Sequence, residues 1–216
     1  MAIAAFALLA VVLVPAGVGG KPPLRACDSR PGRTVLETNR VRLYRVKHRI
    51  DGVRYQRLWG CARVSRRTFA LDDPNPNLEP ERAVRVAVAG HFAACSLESL
   101  DATQTQGYAR VEVTDLRTGR RHSAEAVGTS SSGGTDEHVI SLVVALAGSD
   151  AWIGVNRGDT VSNRVVYEVW RQTGKSAVRL DAGSDIDPRS LGLSADGRTV
   201  YWTKGETTLS APLPPG

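Results

Sequence analysis

The sequence predicts an all-β fold, a small propeller-like array of about four antiparallel blades. Three observations carry that reading: short β-branched runs bounded by Gly, Asp, Asn and Pro recur along the chain, helical periodicity is nearly missing outside the first residues, and the second half contains an internal repeat. The 216 residues, 42% hydrophobic and 23% charged, have the composition of an ordinary globular domain. The 21 Gly and 11 Pro fall singly, as turn residues do, and form no low-complexity block.

Strands are predicted over 34–38, 40–46, 55–64, 68–71, 84–89 and 92–97, then over 108–115, 122–126, 139–145 and 151–155. The last five are 165–171, 177–180, 191–193, 199–204 and 208–212. The repeat sets Val111-Glu-Val-Thr-Asp-Leu-Arg-Thr-Gly-Arg120 against Tyr167-Glu-Val-Trp-Arg-Gln-Thr-Gly-Lys175, with Gly119 and Gly174 55 positions apart. In both, the Gly suits the positive-φ position of a hairpin connection, and the basic residue after it begins the partner strand. Apolar strands, tight turns (148–150 and 194–197) and aromatic strands (151–155 and 199–203) recur around these hairpins in the order of a propeller blade. A more degenerate copy has 84–97 as its inner hairpin and Tyr108 onward as its third strand. The fourth blade is expected to be composite, its inner strands from the C-terminal residues 191–212 and its outer ones from 41–71, because pairing the two chain ends protects the edges of a ring.

The Asp115-x-x-Thr118-Gly119 core, with Ser194-Ala-Asp-Gly-Arg-Thr-Val-Tyr-Trp202, resembles the blade repeats of TolB-like and quinoprotein-like propellers. The chain as a whole resembles a class of exported β-propeller-like proteins of GC-rich actinobacteria. The resemblance spans roughly residues 84–212 and implies fold more than function. It departs from those families in having no Trp-Asp dipeptide, no kelch double glycine and no docking tryptophan after Thr118-Gly119, so no quinone cofactor is carried over and no cofactor is expected.

Residues 1–14 form one apolar run ending at Pro15, followed by Ala16, Gly17, Gly19 and Gly20. Such a run is too short for a bilayer span of roughly 20 residues and reads as a signal peptide over 1–20, although it carries no Lys or Arg. The domain expected is then 21–216, extracellular or in the cell envelope, with no transmembrane span once the signal is removed. Cys27, Cys61 and Cys95 permit one bridge by three pairings. Cys27 with Cys61 would staple the mature N-terminus onto a central strand; the alternative is three small buried hydrophobes. No spacing suits a zinc site.

The basic charge is local. Residues 21–67 hold fourteen Lys and Arg against three carboxylates, a net +11, within a chain whose total is +6. Arg40, Arg42, Arg45, Arg54 and Arg57 make a candidate anion-binding face for wall polymers, anionic lipid headgroups or nucleic acid. The competing reading is a solvated strand face in a chain whose Arg outnumber its Lys by 24 to 4.

No motif reaches a catalytic signature. Gly174-Lys175-Ser176 ends like a phosphate-binding loop, but Val169 stands where that loop needs its first glycine, so no nucleotide is expected. The loop 128–138 gathers Ser, Asp, Glu and His without a Gly-x-Ser-x-Gly elbow, since Ser132 replaces the second glycine. The segment 73–79 imitates a calcium loop, but Leu78 replaces its glycine, and the acidic turn 181–187 suits Asx hydrogen bonds better than a metal. Trp59, Trp152, Trp170 and Trp202 are expected to pack between sheets, with Trp170 also suited to a binding rim. Two functions remain. One is a non-catalytic exported binding or scaffold module whose partner is an anionic cell-wall polymer or another exported protein. The other is a hydrolase or lyase with carboxylates gathered at the central channel.

Overall fold

The computed structural model describes residues 27–50, 52–72, 81–100, 107–126, 137–156 and 165–216. The expected signal peptide, the calcium-like segment 73–79 and most of the loop 128–138 lie outside these. The described residues form strands and no helix, so none of them makes a helix long and apolar enough to cross a membrane.

Sheet 1 is a four-stranded meander of β1 (Arg33–Glu37), β2 (Val41–Ile50), β3 (Val53–Ala62) and β4 (Thr68–Ala70). Sheet 2 contains β5 (Arg82–Ala89), β6 (Phe92–Leu100), β7 (Gly107–Asp115) and β8 (Arg121–Glu125). Sheet 3 contains β9 (Glu137–Val144), β10 (Asp150–Asn156), β11 (Val166–Thr173) and β12 (Ser176–Gly183). Sheet 4 has three strands, β13 (Gly192–Leu193), β14 (Thr199–Lys204) and β15 (Thr207–Pro212). All neighbours pair antiparallel, so each sheet is a blade-like meander and the fold is a propeller-like array of four.

The composite blade is corrected. The N-terminal strands make a complete sheet of their own, and among the described residues no N-terminal strand joins sheet 4. The physical reason lies in the alternation of β2 and β3. Val41, Leu43, Leu58 and Ala62 present one continuous apolar face, which is buried against Ala83, Ala93, Leu97 and Leu116 of sheet 2. A strand pair with an apolar face of that size gains more by packing face to face than by adding an edge, at about 1.5–3 kcal/mol for each large aliphatic side chain buried.

The same stacking continues along the array. Between sheets 2 and 3 lie Ala109, Val111 and Trp152, whose indole donates to the Ala126 carbonyl at 2.5 Å. Between sheets 3 and 4 lie Ile153, Val169, Val200 and Trp202. Asp72, its side chain buried, ties sheets 1 and 2 by accepting from the Leu58 amide of sheet 1 at 2.7 Å and the Ala83 amide of sheet 2 at 3.5 Å, with Arg45 3.7 Å away. Burial drives its pKa up, and the backbone amides of Leu58 and Ala83 and the charge of Arg45 offset only part of that rise.

The two ends of the array are finished differently. On the outer face of sheet 1, residues 27–32 are held down by the Cys27–Cys61 disulfide, with a Cα–Cα distance of 5.8 Å. Arg42 clamps the same segment: its guanidinium donates to the carbonyls of Cys27 (2.6 Å), Arg30 (3.1 Å) and Gly32 (3.1 Å), and to Thr34 Oγ1 (2.9 Å). The outer face of sheet 4 carries Thr199, Tyr201, Thr203, Thr208 and Ser210, side chains that water solvates well. Cys95 is a buried free thiol whose pKa burial pushes up, which leaves it a packing residue.

The hairpin glycines adopt the expected positive φ, +83° at Gly119 and +59° at Gly174. Gly119 has a second constraint, because a Cβ there would run into the Phe69 ring of sheet 1. Gly119→Ala is therefore expected to cost about 2 kcal/mol, from the left-handed backbone penalty plus displacement of Phe69, read as a lowered urea midpoint at unchanged slope.

Candidate functional site

Hairpin turns of sheets 2 and 3 end side by side and enclose a cleft of about 300 Å3. Its polar lining is Asp115, Arg120, Arg121, His122 and Lys175. The Asp-x-x-Thr-Gly core builds the first of these turns. Asp115 accepts from the Arg117 amide at 2.8 Å and from the Thr118 hydroxyl at 3.0 Å, and the Gly119 amide donates to the Asp115 carbonyl at 2.7 Å. With Asp115 committed to the turn, the chain reverses at Gly119 and delivers Arg120 to the cleft. In sheet 3 the pairing of Thr173 with Ser176 leaves Gly174-Lys175 as a two-residue turn, braced by Gln172 Nε2 donating to the Gly174 carbonyl at 3.0 Å. That turn delivers Lys175 to the same cleft. Two residues 55 positions apart in the repeat thus converge on one site.

The charge in the cleft is unevenly spent. Arg121 is paired with Glu112 at 3.1 Å and also donates to the Ala70 carbonyl. Arg120 and Lys175 are exposed and have no ion-pair partner among the described residues. Behind His122 lies Asp150, 3.7 Å away and with no exposed surface. Among the described residues neither Asp150 oxygen has a partner at hydrogen-bonding distance, and the Gln172 side-chain oxygen and His122 Nε2 are likewise unmatched. Burial raises the Asp150 pKa to about 6, with His122 offsetting only part of the rise.

A second hollow, a groove of about 320 Å3, lies on the outer face of sheet 1. It is lined by Arg30, Pro31, Tyr44, Val46, His48, Trp59 and Thr68. Tyr44 and Trp59 are direct cross-strand partners, as are His48 and Tyr55, whose rings stack at 5.6 Å. The guanidiniums of Arg42 and Arg57 lie over the Tyr44 and Trp59 rings, at 5.0 and 5.5 Å.

The five arginines of the sequence reading are dispersed. Arg40 and Arg54 are exposed. Arg42 is buried in the clamp on residues 27–32, so its replacement tests folding and not ligand binding. Arg45 turns toward sheet 2, donating to the Ala83 carbonyl at 2.6 Å, and Arg57 donates to the Asp72 carbonyl at 3.1 Å. In the acidic turn, Asp181 accepts from Trp202 Nε1 (2.9 Å) and Lys204 Nζ (2.8 Å). Burial works to raise its pKa, but those hydrogen bonds prevail and hold it below the usual carboxylate value. Gly174-Lys175-Ser176 is a hairpin turn opening a strand. Among the described residues no group of three or more His, Cys, Asp or Glu is gathered so as to hold a metal.

Neither hollow was assigned from sequence, and each left a signal. For the cleft it was the basic residue after each Thr-Gly pair. For the groove it was Asp51-Gly52, a preferred two-residue hairpin turn. Ile50 pairs with Val53, and in the same register Tyr44 pairs with Trp59.

No family model matches the chain, and no curated protein does. Among solved structures, the chain is similar to the β-propeller domain of the Trilobed protease of Pyrococcus furiosus, described as having an open velcro topology. The identity is 13% and the TM-score 0.40, over 61% of this chain and 43% of that one. It is also similar to an acylaminoacyl peptidase of Pyrococcus horikoshii at 12% identity and TM-score 0.40, over 61% of this chain and 18% of that one. The chain thus spans less than half the length of either. At these scores the propeller-like description rests on the four meanders themselves.

Proposed function

We propose that the chain is an exported, non-catalytic binding module of the TolB-like propeller type, which holds an anionic polymer or an acidic segment of another exported protein. The single observation that carries the reading is the convergence of the two Thr-Gly-basic turns on one cleft, where Arg120 and Lys175 have no ion-pair partner among the described residues. Two cations held on hairpin turns and unpaired among the described residues attract an anionic group without first having to break ion pairs there. Export is supported by the apolar run of residues 1–14 and by the Cys27–Cys61 disulfide, a bond that persists in oxidising compartments. The hydrolase or lyase reading draws no comparable support. The hydroxyl adjacent to Asp150, that of Ser149, is fully buried and donates to the Pro214 carbonyl.

Retention on phosphocellulose tests the proposal. The double variant Arg120→Ser with Lys175→Ser is expected to elute at lower salt and to bind about tenfold more weakly, while Arg40→Ser with Arg54→Ser behaves as the parent. Unchanged retention of the first double variant would overturn the cleft as the site. A shift confined to the second would move the anion contact to the N-terminal segment.

A further inference from the structure

We infer that the open edge of β15 takes a fourth strand from a partner protein, an extended segment that alternates apolar and polar side chains and carries an acidic residue near one end. The residues involved do not line the cleft, so the inference stands or falls separately from it. Three observations carry it.

The first is the strand count. Sheets 1, 2 and 3 have four strands each and sheet 4 has three. In sheets 2 and 3 the third strand, β7 or β11, is covered by a fourth, whereas β15, third in sheet 4, pairs with β14 alone among the described residues. The second is how the edges are finished. Of the eight edge strands, β1, β5, β9 and β12 each carry a bulge, with Val35, Val84, Ile140 and Leu180 as the unpaired residues. β4 and β13 are three and two residues long, and β8 carries Arg121, His122 and Glu125. Bulges, short lengths and charges keep an edge from pairing with other chains. β15 has six residues, none charged, and an unbroken register with β14. The Leu213 amide donates to the Arg198 carbonyl, and the antiparallel alternation then turns the N–H and C=O of Thr208 and Ser210 away from β14, onto the open edge. Pro212 ends that edge, its carbonyl taken by the Arg171 guanidinium. The third observation is the neighbouring wall. Val178 of β12 is the cross-strand partner of Arg171, so it lies on the face of sheet 3 turned to sheet 4, and there it is 47% exposed. Between sheets 2 and 3 the fourth strands β8 and β12 close the core with Ala124 and Ala177; sheet 4 has no fourth strand to do the same for Val178.

These features select the occupant. N–H and C=O groups repeating along one edge are matched by the backbone of an extended chain and not by a helix. Alternation turns every second side chain of that chain toward Val178 and the half-buried Leu209, and the others outward beside Thr208 and Ser210. Arg171 has no ion-pair partner among the described residues and favours a carboxylate at the Pro212 end. A second copy of this chain fits less well. Its other edges are bulged, short or charged, and antiparallel pairing of two β15 strands would turn both copies of sheet 3 to the same side, where they compete for one space. Within this chain, residues 21–26 include Pro22 and Pro23, which donate no ladder hydrogen bond.

The test is fluorescence anisotropy of the full chain with a labelled eight-residue peptide that alternates threonine and valine and carries one glutamate at its N-terminal end. Saturable binding is expected below about 1 mM. Residues opposite Thr208 and Ser210 share their outward face, so the threonines of the peptide supply the N–H groups that meet β15. N-methylation of the threonines is expected to weaken binding at least about tenfold, and N-methylation of the valines to leave most of it. Ser210→Pro removes an edge N–H without removing a bond to β14, and Val178→Asp places a charge in the apolar wall; each should weaken binding about tenfold. Arg120→Ser with Lys175→Ser should bind as the parent. If Ser210→Pro lowers the urea midpoint, Val178→Asp and the methylated peptides on parent protein carry the comparison. No saturable binding, equal binding of the two methylated peptides, or loss confined to the Arg120/Lys175 variant would each overturn the inference. So would a parent that sediments as a dimer which Ser210→Pro dissociates, since a second copy would then hold the edge.

Discussion

Removing the disulfide by Cys27→Ala with Cys61→Ala is expected to lower stability by about 4 kcal/mol, the largest effect of any change considered for this chain. The two cysteines are 34 positions apart. The chain-entropy relation for a loop of that length gives about 3.8 kcal/mol lost from the constraint on the unfolded chain. The native structure adds a local consequence. Cys27 and Cys61 are both fully buried beneath the capping segment, where they pack with Tyr44. Without the bridge, the hold of that segment on sheet 1 falls to the Arg42 clamp, the Arg63–Asp28 ion pair at 2.5 Å and the packing of Tyr44. Urea unfolding of the double variant, compared with parent protein with and without reductant, measures the effect. The midpoint should fall by the same amount in the variant and in the reduced parent. A loss below about 1 kcal/mol would mean that the Arg42 clamp and the packing of Tyr44 hold the cap without the bond.

The second large effect is a gain. Asp150 has no exposed surface and, among the described residues, no partner closer than His122 at 3.7 Å, and burial pushes its pKa up to about 6. A carboxyl whose folded pKa stands above its unfolded value, about 3.9, contributes stability that is fully present below pH 3.9 and lost as pH rises through about 6. A difference of about two pH units corresponds to about 3 kcal/mol. Asp150→Asn keeps the shape and cannot ionise. It should match the parent near pH 3 and exceed it by about 2–3 kcal/mol at pH 7.5, most of the difference developing between about pH 4 and 6. Comparing variant with parent at each pH removes the contribution of the histidines elsewhere. A variant less stable than the parent at pH 7.5 would show that Asp150 is ionised and held as an ion pair by His122. The buried Asp150 would then brace the wall of the cleft through His122, and cleft binding should weaken in the variant.

These two expectations show how unevenly sequence and structure share the information. Strand positions were legible because turn chemistry is local. Gly119 and Gly174 have the positive φ that their places in the Thr-Gly pairs demand, and the predicted strands fall on observed ones, with ends shifted by a few residues. The composite fourth blade was misread because edge pairing and face packing leave the same alternating pattern in β2 and β3. Only the partner surface of sheet 2 distinguishes them. Arg42 shows the same limit at one residue. In sequence it is one of many arginines on a basic strand, and the fold turns it inward to satisfy the carbonyls of Cys27, Arg30 and Gly32.

The sequence by itself determined the all-β class, the blade-by-blade order of the second and third sheets and the positions of the hairpin turns. Each follows from residues within a few positions of one another. It also singled out Cys27 and Cys61 as partners worth joining. Tertiary structure alone decided that the N-terminal strands form a full sheet, that Arg120 meets Lys175 in one cleft, and that Asp150 is sealed behind His122. Those outcomes depend on which faces stack, and stacking joins residues tens of positions apart through buried area that no local pattern encodes.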